Sequence, residues 1–112
     1  MRRWLPRVLA RIHRLAAEGK AQLTEKAFEE LRALPLGISS DDAYHILQHL
    51  TASECAGRFV SHETEEWLYV FNPRIVGIVL YVKLALRADC VVISFHEEGG
   101  DDDQNQGDGQ EA

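Results

Sequence analysis

The chain has little cysteine: two residues in 112, Cys55 and Cys90, with no CxxC spacing. Without a cysteine motif, and with apolar or small neighbours, both are expected as small buried hydrophobes in a reducing compartment. Long apolar runs are also missing. The start, MRRWLPRVLARIHRLAAEGK, is interrupted by Arg7, Arg11, His13 and Arg14. That excludes a signal peptide and a membrane span, and a cytoplasmic protein is the expectation. There is no glycine-rich phosphate loop and no nucleophile elbow. Finally, the last stretch lacks bases: residues 97–112 hold 7 acids and no Lys or Arg. All 12 bases lie in residues 1–96 against 11 acids. A near-neutral body therefore carries an acidic tail, and the net charge of −6 says little against a polyanionic partner.

The body has room for one modest core, so a single domain over 1–98 and a disordered tail over 99–112 are expected. Residues 3–18 place Leu5, Val8, Leu9, Ile12, Leu15 and Ala16 at helical spacing, with Gly19 closing the helix. The opposite face carries Arg3, Arg7, Arg11 and Arg14, either a solvated face or a contact surface for RNA or an acidic partner. Thr24 can cap a second helix with Ala27, Phe28, Leu31 and Leu34 as its apolar face, ended by Pro35 and Gly37. Ser39 and Asp42 form a capping-box pattern for a third helix over 41–50, burying Ala43, Ile46, Leu47 and Leu50. After Thr51 the period changes to two. Strands are expected at 57–62, 66–72, 77–86 and 90–96, joined by short links into an antiparallel meander. Helices followed by such a sheet predict an α+β fold, with the helices on one face of about four strands.

The stretch LYVKLALRADCVVISFHEE permits a register argument. A two-residue turn at Ala88-Asp89 would pair Tyr81 with His96 and Lys83 with Ser94. A three-residue loop would shift His96 beside Leu80, on the core face. The first choice segregates polar from apolar, so an open face bearing Tyr81, Lys83, Ser94 and His96 is expected. Such a face suits cleavage of an RNA phosphodiester without a metal or other cofactor. His96 can act as acid or base near neutrality, Tyr81 can donate or position, and Lys83 or Arg74 can hold the phosphate. The same residue types are also ordinary on a wet sheet face.

From about residue 8 to 98 the chain resembles the MqsR family of type II toxin–antitoxin toxins. The resemblance is carried by WLYVFNPRIVGIVLYVKLALRADCVVISFHEE and, less specifically, by LPLGISSDDAYHILQHLTASE. It implies a RelE-like α+β fold and a ribosome-independent mRNA interferase. It also implies an antitoxin with zinc-binding and helix-turn-helix domains. Tyr81 in YVK matches the family pattern directly. His96 stands where the family's SFK has lysine, and Leu68 follows Trp67 where many members have glutamine. Arg58, in ECAGRFVSH, is the nearest basic residue to the lysine of the family's FYK. The site expected from this is Tyr81 and His96 for catalysis and Arg58, Arg74 and Lys83 for RNA phosphate, with His62, Tyr69 and Ser94 as further candidates. Two readings follow: a subgroup with a re-equipped face, or a degenerate copy that binds antitoxin or RNA without cutting.

His45 and His49 lie four apart on the third helix, a spacing open to a metal but without an evident third ligand. They are read as surface histidines. Trp4 and Trp67 are expected in packing, with base stacking as the alternative. The acidic tail reads as solubilising, or as a competitor of RNA for Lys83 and Arg74.

Overall fold

A computed structural model of the chain describes residues 2–99. The acidic stretch beyond them, and with it the expected tail, lies outside the described residues. Helix α1 (Leu5–Ala17) buries Leu5, Leu9, Ile12, Leu15 and Ala16, the stripe its periodicity marks. It ends at Gly19, whose φ of 77° allows the amide of Lys20 to reach back to the carbonyl of Leu15. The chain then forms a strand that the sequence did not announce, β1 (Ala21–Leu23). Three residues are too few to show an alternation.

Helix α2 (Glu25–Ala33) starts where Thr24 accepts the Ala27 amide, and ends before Pro35, which forces Leu34 into an extended conformation. Ala27 and Leu31 are buried, but Phe28 is exposed, with the Arg32 guanidinium 5.7 Å from its ring centre. Helix α3 (Ser40–Gln48) carries the complete capping box between Ser39 and Asp42. It buries Ala43 and Leu47, and Leu50 follows it into the core while Ile46 is half-buried.

The sheet strands are β2 (Cys55–Val60), β3 (Trp67–Phe71), the short β4 (Arg74–Ile75), β5 (Ile78–Leu86) and β6 (Cys90–Glu97). Their order is β1-β6-β5-β3-β2, with β4 paired to β5 alone. The sheet is mixed rather than wholly antiparallel, because β1 runs parallel to β6. One face packs against the helices through Phe71, Leu80, Val82, Leu84, Cys90, Val92 and Phe95.

The final hairpin reaches the expected pairing by a different route. Leu86 pairs with Cys90, so the loop has three residues, Arg87 to Asp89, and not two. Alone, that loop would place His96 beside Leu80. A bulge at Ile93 takes up the extra residue, and beyond it Lys83 pairs with Ser94 and Tyr81 with His96. The bulge also exchanges the faces of the first half of β6: Cys90 and Val92 turn to the helices, and Val91 pairs with Ala85 on the other side.

Helix α2 secures this irregular edge. Beyond β1, the Lys26 ammonium donates to the Ile93 carbonyl (3.3 Å) and to Ser94 Oγ (3.0 Å). A Glu30 carboxylate oxygen accepts the Phe95 amide at 2.9 Å, and Lys26 and Glu30 pair at 3.1 Å. Side chains of α2 thus take the backbone groups that a neighbouring strand would otherwise pair.

Candidate functional site

The face of the sheet away from α1 gathers Tyr81, Lys83, Ser94 and His96 as two cross-strand pairs, two residues apart along each strand. The Tyr81 and His96 rings stack with centres 5.1 Å apart and planes 10° from parallel. His96 Nδ1 lies 2.8 Å from the Glu97 carbonyl. A carbonyl can only accept, so Nδ1 carries the hydrogen and the neutral ring keeps its lone pair on Nε2. Nε2 itself is shielded from solvent.

The face is less open than its polar composition suggests. Lys83 is 3 % exposed and Ser94 is fully buried; these are the buried polar side chains among the described residues. Lys83 lines a cleft of about 620 Å³, whose walls include Lys26, His62, Phe59 and Leu68; Ser94 reaches it only through its hydrogen bond with Lys26. The β2–β3 loop that brings His62 there is folded on Ser61, whose hydroxyl accepts from the amides of Glu63 and Thr64. At the cleft's far end Arg87 and Glu66 form a two-pronged pair at 2.7 and 3.1 Å. Hydrogen bonding to Arg87 holds the Glu66 carboxyl below its ordinary range and raises the guanidinium in return.

Arg74 is exposed and pairs with Val79, two residues before Tyr81, which puts it at the margin of the same face. Arg58 and Tyr69 are not brought there. They pair with each other in register, and Tyr69 belongs to the helix-side core. The Arg58 guanidinium instead lies 3.8 Å from the Trp67 ring centre and 4.7 Å from that of Trp4. A one-residue difference in strand phase decides this, and a stretch containing Gly57 and a bulge gives no clear alternation from which to read it. Lys26 is the cleft residue that sequence reasoning passed over. Its only prior signal was a place in the first turn of α2, which says nothing about a strand nearly seventy residues away.

His45 and His49 stand apart from this face on α3, with ring centres 4.4 Å apart and His49 Nδ1 bonded to the His45 carbonyl. Among the described residues no group of three or more His, Cys, Asp or Glu is placed to hold a metal. Cys90 is fully buried and its thiol is pushed up to about 12, chiefly by burial, whereas Cys55 is half-buried. Among the described residues no helix is long and apolar enough to cross a membrane.

This fold and this face define a small α+β protein with titratable side chains gathered on one side of its sheet. The model of the family described as motility quorum-sensing regulator, toxin of MqsA, matches residues 7–97, and the chain belongs to that family. It is therefore a toxin of a toxin–antitoxin system, which implies an antitoxin as partner. A search of curated proteins finds no match.

Proposed function

We propose that the chain is a ribosome-independent endoribonuclease that cleaves mRNA in the cytoplasm and uses the Tyr81–His96 face. The observation that carries this reading is the register that sets Tyr81 across from His96, two residues along from the Lys83–Ser94 pair on the same face. In the proposed reaction a base takes the proton of the 2′-hydroxyl and the 2′-oxygen attacks phosphorus. The 5′-oxygen leaves with a proton from an acid, and a 2′,3′-cyclic phosphate remains. His96 supplies proton transfer through Nε2, after its ring turns out of the stack. Tyr81 positions the phosphate or donates to it. Lys83 and Arg74 favour the negative charge on the phosphorane. His62 lines the path of the strand, and the buried Ser94 positions the Lys26 ammonium beside it. The antitoxin is proposed to carry zinc-binding and helix-turn-helix domains, as the resemblance implies.

A second reading is supported by specific features. Lys83 is 3 % exposed and Nε2 of His96 is shielded, as befits a degenerate copy that binds its antitoxin without cutting. Induced expression separates the two. The enzyme reading expects growth arrest by the wild type and none by His96→Ala or Tyr81→Phe at equal protein levels. A harmless wild type, or arrest by all three, would favour binding alone.

A further inference from the structure

The side of the sheet that the cleavage reading does not use carries a second charged surface. Arg3, Arg7 and Arg11 are exposed and, together with Trp4 and Tyr69, line a groove of about 560 Å³. Helix α1 has no acid in its first turn, and its whole length contains none. Arg11 donates to the Arg87 carbonyl, but none of the three arginines has a carboxylate partner among the described residues. Cations four apart on a helix repel one another, and those near its N-terminus oppose the helix dipole. The stripe therefore works against the stability of α1, and a bound anion would reverse its sign.

The groove's composition narrows the anion. Its cations are all arginine, whose planar fork matches phosphate. At its edge Arg58 is clasped between the rings of Trp4 and Trp67, which holds both indoles in fixed orientation. Trp67 is nonetheless 37 % exposed, and Trp4 packs on Tyr69 with ring centres 5.5 Å apart. Arginines four residues apart, about 6 Å of rise where the chain is helical, beside a braced and partly exposed indole, suit a backbone of phosphates carrying aromatic bases. An acidic polypeptide would use the charges and leave the indole idle.

We propose that this groove binds single-stranded RNA, with Arg3, Arg7 and Arg11 on phosphates and Trp67 stacked on a base. The site lies on the opposite side of the sheet from Tyr81 and His96, goes beyond the cleavage reading, and does not depend on it. The test is fluorescence anisotropy of the full chain with a short 2′-O-methyl single-stranded RNA, which has no free 2′-hydroxyl and cannot be cut by the proposed route. Titrations run over a KCl series. The R3Q/R7Q/R11Q variant should bind at least tenfold more weakly, and its log–log salt slope should fall by about 2, near 0.7 for each of three phosphate contacts. The R3K/R7K/R11K variant should keep the slope, and Trp67→Ala should weaken binding about tenfold with the slope unchanged. Thermal melts check the glutamine variant, which relieves repulsion and should melt no lower than the wild type. Unchanged RNA affinity and slope in a folded R3Q/R7Q/R11Q chain would overturn the proposal. So would loss of polyglutamate binding with RNA binding intact, which would assign the groove to an acidic protein partner.

Discussion

At the scale of the residue, position decides what each side chain can do. Val76 has a φ of 49° and is 87 % exposed in the turn between β4 and β5, where it is followed by Gly77 at 80°. Positive φ at both centres suits asparagine followed by glycine, whereas a β-branched residue there is strained. Val76→Asn should therefore add about 1 kcal/mol and raise the melting temperature by about 4–8 °C; calorimetry checks this, and a lowered midpoint would contradict it. The two thiols should differ as well. At mildly alkaline pH iodoacetamide should label Cys55 and spare Cys90 until denaturant is added, with mass spectrometry as readout. Because the folded Cys90 thiol is raised from 9.0 to about 12, its contribution to stability is complete below pH 9. It is lost as pH rises from there toward 12, since the unfolded thiol ionises first.

At the scale of the element, the Tyr81–His96 face depends on an irregularity. The three-residue loop and the bulge at Ile93 cancel, and α2 holds the result through Lys26 and Glu30. Glu30→Ala removes the acceptor of the Phe95 amide and should cost about 1–3 kcal/mol. Urea unfolding measures the loss, and hydrogen exchange should show the Phe95 amide losing protection; a slow, unchanged amide would refute the role given to Glu30. The pairing of Tyr81 with His96 was legible because polar and apolar residues segregate only in that register. Its means was not. Ala-Asp is a poor two-residue turn, and nothing in CVVISF marks Ile93 as the residue that bulges. Strand β1 was illegible for another reason: three residues bear no periodicity, and their parallel pairing with β6 is a long-range event. The helix caps at Thr24 and Ser39 were plain because their physics is local.

At the scale of the whole molecule, the sheet separates two surfaces. One side holds the helices, the core and the arginine groove; the other holds the Tyr81–His96 stack, Lys83 and the cleft roofed by the His62 loop. The family, and with it the toxin's role and its antitoxin, came from the C-terminal strands as a pattern, before any geometry. Arg58 shows where that pattern misled. Nearness in sequence to the family's lysine placed it among the phosphate ligands, but strand phase turned it toward Trp4 and Trp67. The burial of Lys83 could not be read from alternation, which distinguishes faces and not how deeply each is covered.

The central claim, that this face cuts RNA, is tested most directly with purified chain and end-labelled single-stranded RNA in the presence of EDTA. The account predicts fragments ending in 2′,3′-cyclic phosphate and 5′-hydroxyl. His96→Ala should slow their formation about 10²- to 10⁴-fold, the usual range for a lost proton-transfer group, and Tyr81→Phe should slow it measurably. Intact RNA with a folded wild-type chain, or cleavage unchanged by both substitutions, would contradict it.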